Sequence, residues 1–222
     1  MQGKTAVLLG ATGLTGSKLL QMLLDSDEYG RVNILVRKPI NIAHPKLDIH
    51  ITDFSNADNY YNALGTGDVI FCCIGTTMKK VNGNKALYRT IDYDIPVNAA
   101  KWGTEKGFSH YSFVSAIGAD SKSSNFYLRL KGEAEDKIRS AGYKSVDIFR
   151  PSLLLGDRRE ERGGERAAQI IFPVISFLFA GGWRKYKPVQ AEAVARAMLK
   201  ASLTDNSGSN MYEYDRIQAF NT

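Results

Sequence analysis

Short apolar runs alternate with segments of helical periodicity along the first 150 residues. Six of these runs are rich in β-branched and aromatic residues, as buried strands are; they cover residues 5–11, 31–37, 47–52, 68–74, 110–116 and 145–151. The segments between them, such as GSKLLQMLLDSD and NFYLRLKGEAEDKIRSAG, place apolar residues at helical spacing. Regular alternation of strand and helix predicts a parallel sheet with helices on both faces.

The alternation predicts an α/β fold of the Rossmann type, a doubly wound parallel sheet with a small C-terminal cap region. No repeat, low-complexity tract or linker divides the 222 residues, so we expect a single domain over residues 1–222. Residues from about 155 to 222 are expected to form the cap on the substrate side, beside the carboxyl edge of the sheet.

The segment VLLGATGLTGSKLL joins the first strand to the first helix and spaces its glycines as G-x-x-G-x-x-G. Residues without Cβ allow a tight turn and bring a diphosphate close to the positive end of the helix. No G-K-[ST] ending follows, which argues against a P-loop and nucleotide triphosphate hydrolysis. We therefore predict a dinucleotide site at Gly10, Gly13 and Gly16.

The end of the second strand predicts which dinucleotide binds. A carboxylate at this position would bind the ribose 2′-hydroxyl of NAD(H), but the strand ends in LVRKP, with Arg37 and Lys38. These two cations favour the 2′-phosphate of NADP(H) over NAD(H). The alternative is that both are solvated loop charges.

The third and fourth strands end in further candidates. Asp53 and Phe54 follow the third strand, where they would contact the adenine edge. Gly75 and Thr76 follow the fourth strand, where the backbone would pass close to the cofactor's sugars. All lie where open α/β sheets bind ligands.

A candidate proton-transfer site follows the fifth strand. Ser115 ends that strand, and Tyr127 and Lys131 lie four residues apart near the start of the next helix. A free tyrosine has a pKa of about 10, and a neighbouring ammonium favours the phenolate. Tyr127 would exchange a proton with the substrate oxygen while hydride moves to or from a nicotinamide, and Ser115 would hold the same oxygen.

The glycine-rich turn, the serine and Tyr-x-x-x-Lys together resemble the short-chain dehydrogenase/reductase superfamily, in its atypical or extended branch. The segments FCCIGTT, SSNFYLRLKGE and FRPSLLLGDRREERGGE resemble, more closely, the Tat-interacting oxidoreductase-like family over nearly the whole chain. The resemblance implies a Rossmann-type fold, NADPH binding and a catalytic pair at Tyr127 and Lys131. It also implies that Pro151 and Ser152, after the sixth strand, border the nicotinamide.

The chain departs from this resemblance at one position, because Ala116 follows Ser115 where relatives carry two consecutive serines. Either Ser115 takes the catalytic role or the donor to the substrate oxygen is missing. The predicted catalytic residues are Tyr127, Lys131 and Ser115, and no metal is expected. The residues predicted to contact the dinucleotide are Gly10, Thr12, Gly13, Leu14, Thr15, Gly16, Arg37, Lys38, Asp53, Phe54, Gly75, Thr76, Tyr127, Lys131, Pro151 and Ser152.

Composition changes this picture little. The net charge is +6, but the densest basic segment, DRREERGGER, is interleaved with acids and lacks the aromatic residues that stack on bases, so no nucleic-acid partner is expected.

Cys72 and Cys73 are adjacent, which excludes an ordinary disulfide. With no signal peptide in the N-terminal sequence, this indicates a cytoplasmic protein. The histidines, scattered at positions 44, 50 and 110, suggest no metal site.

The apolar run AAQIIFPVISFLFAGGW, residues 167–183, is shorter than the usual span of about 20 residues and contains a proline. It predicts a core or substrate-pocket segment, a homodimer face or a membrane-surface contact, but no membrane span. The arginines before it would clamp an anionic substrate or form a solvated helix face; they are Arg158, Arg159, Arg162 and Arg166.

Three functions fit these patterns. The first is an NADP(H)-dependent oxidoreductase acting on a small carbonyl-type substrate. The second is a non-catalytic protein that senses NADP(H) and binds a partner. The third is an enzyme like the sugar-nucleotide epimerases, which the short C-terminal segment and the cations at Arg37 and Lys38 disfavour. The substrate has no signature in the sequence.

Overall fold

The computed structural model describes residues 3–156 and 181–221. The strands in these residues are β1 (Lys4–Leu9), β2 (Tyr29–Val36), β3 (Leu47–Ile51), β4 (Val69–Cys72), β5 (His110–Val114), β6 (Ser145–Phe149), β7 (Leu154–Leu155), β8 (Val189–Gln190) and β9 (Gly208–Tyr212). The helices are α1 (Leu14–Asp25), α2 (Ala57–Ala63), α3 (Lys85–Arg89), α4 (Ile95–Glu105), α5 (Phe126–Arg139), α6 (Ala191–Ser202) and α7 (Tyr214–Gln218). A π-helical turn (Thr90–Asp94) joins α3 to α4, and a 3-10 helix covers Gly181–Tyr186.

Seven parallel strands form the main sheet, in the order β3-β2-β1-β4-β5-β6-β9. The six strands predicted from apolar runs are all present in it. The chain order reverses between β1 and β4, and such a reversal opens a ligand-binding crevice at the carboxyl edge. The predicted Rossmann-type fold class is therefore confirmed.

Helices cover both faces of the sheet, as the alternation predicts. Leucines of α1, including Leu19 and Leu23, pack with Val194 and Met198 of α6 in one buried cluster. The opposite face is buried by α2, α4 and α5, which contribute Tyr60, Ala99 and Ile138 among others. These apolar contacts fix the position of α5, the helix that carries the predicted Tyr-Lys pair.

The described C-terminal residues contribute to the main fold. β9 pairs in parallel with β6, α6 covers the sheet beside α1, and only β7 and β8 form a separate two-stranded sheet. The sequence analysis missed β9 because GSNMY holds few apolar residues. Residues 157–180, which hold the four arginines and most of the apolar run, lie outside the described residues. Within 3–156 and 181–221, no helix is long and apolar enough to cross a membrane.

Candidate functional site

The predicted site residues lie along one edge of the sheet, because each follows the carboxyl end of a parallel strand. The structure brings together the residues after six strands: Gly10 after β1, Arg37 after β2, Asp53 after β3, Gly75 after β4, Ser115 after β5 and Pro151 after β6. The arrangement matches the edge at which doubly wound sheets bind their ligands.

The glycine turn after β1 has no room for side chains at Gly10 and Gly16. Gly10 adopts a φ of +83°, and a Cβ on it would lie 2.7 Å from the carbonyl oxygen of Cys73. A Cβ on Gly16 would overlap the Gly10 carbonyl oxygen, which accepts a hydrogen bond of 2.9 Å from the Gly13 N–H. The turn therefore requires glycine where β1 and α1 approach each other most closely.

The start of α1 offers donors for an anion. Gly13 caps this helix without a side-chain hydrogen bond, so the first-turn amides of Leu14, Thr15 and Gly16 have no acceptor within the helix. The Thr15 hydroxyl is buried and has no hydrogen-bond partner among the described residues, whereas Thr12 is exposed. Unsatisfied donors at a helix N-terminus beside a turn without Cβ atoms fit a diphosphate.

Arg37 and Lys38 follow β2 as exposed residues. In the part of the chain that the structure describes, neither side chain makes a hydrogen bond or an ion pair. Arg31, on the same strand, is instead paired with Asp48 at 2.6 Å. Both cations are therefore accessible at the end of the second strand.

Asp53 and Phe54 lie in the turn between β3 and α2. The Asp53 carboxylate accepts hydrogen bonds from the Ser55 hydroxyl at 2.6 Å and the Ser55 N–H at 2.9 Å, and these bonds lower the pKa of Asp53. The Phe54 ring packs edge-on against Tyr60, with centroids 4.7 Å apart. Both residues thus take part in the local turn at the cofactor edge.

The Tyr127–Lys131 pair lies on the first turns of α5. The Asn125 side chain caps this helix by accepting from the N–H groups of Tyr127 at 2.9 Å and Leu128 at 3.1 Å. Tyr127 is 36% exposed, and its ring lies edge-on to Tyr88 with centroids 6.3 Å apart. Lys131, one turn later, is only 3% exposed. The pair therefore combines an accessible phenol with a buried ammonium.

Asp92 is a site residue that the sequence analysis missed. It is 1% exposed, and its Oδ1 lies 3.1 Å from Lys131 Nζ, while its Oδ2 accepts from the Thr76 N–H at 2.8 Å. The sequence holds one signal for it. Asp92 lies four residues after Tyr88 and three before Ile95, so in a helix its side chain would face the same buried side as these two residues.

Lys131 is held charged by its neighbours. Burial disfavours the ammonium and acts to lower the pKa of Lys131, but the negative charge of Asp92, the phenolate form of Tyr127 and the Asp92 hydrogen bond outweigh it, so that the pKa is raised. The ammonium also lies 3.5 Å from the Val114 carbonyl oxygen and 4.9 Å from the centre of the Phe113 ring.

The Ser115 hydroxyl, which is predicted to hold the substrate oxygen, has a hydrogen-bond acceptor within the protein. It donates to Glu135 Oε1 at 2.5 Å, and Glu135 is a fully buried residue of α5. Glu135 also binds the guanidinium groups of Arg139 and Arg150. The following residue, Ala116, is 7% exposed and brings no hydroxyl.

Pro151 and Ser152 hold backbone segments in place. The Pro151 carbonyl oxygen accepts from the Ile117 N–H at 2.9 Å, which joins the segments after β5 and β6. The Ser152 hydroxyl donates to the Lys187 carbonyl oxygen. Across residues 3–156 and 181–221, no cluster of His, Cys, Asp and Glu suits a metal ion.

Comparison with known proteins identifies the family. A profile of the family described as NAD(P)H-binding matches residues 10–169. Protein HTATIP2 of Rattus norvegicus is 33% identical over 211 residues, which cover 94% of this chain and 85% of the relative. The mitochondrial protein fmp52 of Aspergillus clavatus is 32% identical over 203 residues, which cover 87% of this chain and 86% of the relative.

Solved structures share the fold at low sequence identity. UDP-N-acetylglucosamine 4-epimerase of Methanobrevibacter ruminantium, in complex with UDP-N-acetylmuramic acid, has a TM-score of 0.70 and 16% identity, covering 96% of this chain and 77% of its own. WbmH of Bordetella bronchiseptica, in complex with NAD+, has a TM-score of 0.71 and 14% identity, covering 95% of this chain and 75% of its own. The resemblance predicted from sequence is confirmed in the family: this chain belongs to the NAD(P)H-binding family and is related to protein HTATIP2, and the solved structures show that it shares their fold.

Proposed function

We propose that this protein is an NADP(H)-dependent oxidoreductase that reduces a small carbonyl-type substrate, with Tyr127 as proton donor and acceptor. The observation that carries the proposal is the pairing of an exposed phenol with the buried Lys131 ammonium, at the sheet edge that also holds the glycine turn. Arg37 and Lys38, which are exposed and have no ion pair among the described residues, support NADP(H) as the preferred dinucleotide.

In this reaction each site residue has a separate chemical role. A dinucleotide held at the glycine turn would supply or accept hydride at the substrate carbon. Tyr127 gives a proton to the substrate oxygen during reduction and takes it back during oxidation. The Lys131 ammonium stabilises the phenolate that this transfer leaves, since an adjacent cation favours an anion. Ser115 acts through Glu135, which positions α5.

Turnover of a panel of aldehydes and ketones with NADPH tests the proposal. Tyr127→Phe removes only the hydroxyl, so turnover should fall by about 10²- to 10⁴-fold, the usual contribution of a positioned acid or base. Tyr61→Phe, on α2 and away from the site, is the matched control and should leave turnover unchanged. Equal and negligible turnover in wild type and Tyr127→Phe, with tight NADPH binding by both, would show that the protein is not an enzyme of this kind.

A non-catalytic NADP(H) sensor is the second candidate, favoured by one observation. The Ser115 hydroxyl is bound to Glu135 and Ala116 has no hydroxyl, so neither residue offers a donor to the substrate oxygen beside Tyr127. A sensor binds NADPH tightly and changes its affinity for a partner without consuming cofactor. An epimerase-like enzyme would instead interconvert UDP-sugars without net change in the cofactor. Incubation with a UDP-sugar panel, followed by product chromatography, separates the epimerase from the other two functions, which the carbonyl panel distinguishes.

We further propose that residues 1–222 form one domain, that the protein assembles as a homodimer and that it is cytoplasmic. Light scattering of the purified chain measures the assembly, and a single cooperative unfolding transition would support one domain. Cell fractionation tests the location. The alternative is a mitochondrial location, because the fungal relative is named a mitochondrial protein.

A further inference from the structure

The buried Asp92 carboxylate contacts both the Lys131 ammonium and the Thr76 backbone. Asp92, on the π-helical turn, lies 3.1 Å from the Lys131 ammonium through Oδ1 and accepts the Thr76 N–H through Oδ2 at 2.8 Å. We propose that Asp92 is a positioning residue that couples the Gly75–Thr76 segment beside the cofactor to the Tyr127–Lys131 pair. This proposal rests on the proton-transfer role given to that pair above.

The surroundings of Lys131 make Asp92 its single counter-ion among the described residues. An ammonium buried without a counter-ion is strongly disfavoured, so the ion pair decides whether Lys131 stays charged. Cys72, the nearest titratable group on β4, is fully buried, and burial raises its pKa, so that it remains a neutral thiol. The groups that face the ammonium are Asp92 from the π turn, Tyr127 from α5, Cys72 from β4, and the Val114 carbonyl and Phe113 ring from β5.

The charge of Asp92 also acts on proton release. A carboxylate close to two titratable groups raises the pH at which either of them gives up a proton. The sign is the same whether the first proton leaves Tyr127 or Lys131, because both groups become more negative on losing it. A Tyr–Lys pair beside Asp92 therefore releases its first proton at a higher pH than the same pair without the carboxylate.

The hydrogen bond to Thr76 gives Asp92 its second function. Thr76 follows β4 next to Gly75, in the segment predicted to pass the cofactor's sugars. The Tyr88 hydroxyl donates to the Thr76 carbonyl oxygen at 3.3 Å, so this short segment is held from both sides by residues of the α3–α4 region. Movement of the Gly75–Thr76 segment on cofactor binding would therefore shift the Asp92 carboxylate and change its distance to the Lys131 ammonium.

Two substitutions separate these functions. Asp92→Asn keeps a side-chain oxygen for the Thr76 N–H but removes the charge, whereas Asp92→Ala removes both. Asp94→Asn is the matched control, because Asp94 lies on the same turn but is partly exposed and 3.9 Å from Arg89. Proton release is followed in the NADP-bound protein by the carbon-13 shifts of the Tyr127 ζ-carbon and the Lys131 ε-carbon, and in turnover by the pH profile.

We expect Asp92→Asn to lower the pH of first proton release by about 1 unit, the lower end of effects from a nearby charge. Its NADPH affinity should stay near that of wild type. Asp92→Ala should in addition weaken NADPH binding by about tenfold, through the lost Thr76 hydrogen bond. Asp94→Asn should change neither quantity.

Identical titrations of Asp92→Asn and Asp94→Asn would overturn the proposal, as would wild-type NADPH affinity in a folded Asp92→Ala. If Asp92→Ala does not fold, the near-isosteric Asp92→Asn decides the result by its titration alone. The carbon-13 titration needs no turnover, so an inactive wild type would count against the proposed function while Asp92 is still tested.

Discussion

The Arg150 guanidinium binds both oxygens of the Glu135 carboxylate, with Nε 2.9 Å from Oε1 and Nη2 2.6 Å from Oε2. Arg150 follows β6, and Glu135 lies on α5 one turn after Lys131. Ser115, at the end of β5, adds a third hydrogen bond to the same carboxylate. This bidentate pair therefore holds the helix that carries Tyr127 against the ends of two strands.

Glu135→Gln should destabilise the fold. The substitution leaves the Arg150 side chain, 15% exposed, without its counter-ion, and loss of one partner from a buried pair costs about 3 kcal/mol of unfolding free energy. Urea unfolding measures the change. Glu133→Gln, on the same helix but with partly exposed ion pairs, should cost less than about 1 kcal/mol. Equal losses in the two variants would contradict a structural role for the buried pair.

Arg37→Ala should weaken NADPH binding more than NADH binding. If Arg37 binds the 2′-phosphate, its removal costs one charged hydrogen-bonded contact, equivalent to about a tenfold loss of affinity or more. Titration of both dinucleotides, followed by their fluorescence, gives the ratio. Arg31→Ala removes a cation of the same strand that is already paired with Asp48, so its ratio should stay that of wild type. Equal weakening of both dinucleotides by Arg37→Ala would refute the 2′-phosphate role.

Ala116→Ser should raise turnover. The new hydroxyl would follow Ser115 at the cofactor edge and supply a donor to the substrate oxygen, and one such hydrogen bond corresponds to about a tenfold gain. Ala119→Ser places a hydroxyl at another buried position of the same loop and should give no gain. Steady-state kinetics on the best substrate compares them. Unchanged turnover in Ala116→Ser, with wild-type NADPH affinity, would mean that no donor is missing.

Buried tyrosines should make the fold sensitive to alkali. Burial raises their pKa above the unfolded value of about 10, so the stability they contribute is complete below that pH and falls as the pH rises beyond it. The buried tyrosines should form phenolate only on unfolding, which is seen by following phenolate absorbance together with circular dichroism. A single reversible step for all 11 tyrosines, with native dichroism, would exclude this. The tyrosines whose pKa burial raises are the buried Tyr29, Tyr60, Tyr111 and Tyr212 and the partly buried Tyr143.

Local patterns in the sequence predict the strands and the tight glycine turn after β1 well. Strands of a parallel sheet buried on both faces read as continuous apolar runs, and the glycine spacing reflects backbone contacts around Gly10. β9 lacks such a run, since it forms the last strand at one edge of the sheet and is only partly buried. Its pairing with β6 depends on contacts across some 60 residues of chain, which no local pattern contains.

Side-chain partners in the site are harder to predict than its position. Tyr127 and Lys131 share a helix, so their spacing alone places them together. Asp92 reaches Lys131 from a different helix, and Ser115 reaches Glu135 across a strand–helix contact. Such pairs form only after the elements pack. The sequence therefore locates the serine at the cofactor edge but does not reveal that its hydroxyl already has an acceptor.

The π-helical turn makes the α3–α4 region sensitive to chain length. In this turn the Ile95 N–H bonds to the Thr90 carbonyl oxygen, five residues back, so the turn holds one residue more than an α-helix would. The wide turn takes up this extra residue locally, so deleting one residue within it would restore regular α-helix and leave α3 and α4 in nearly the same relative phase. Such a deletion would displace Asp92, which lies in the turn, from Lys131 and Thr76, while Tyr88 keeps its place beside Thr76.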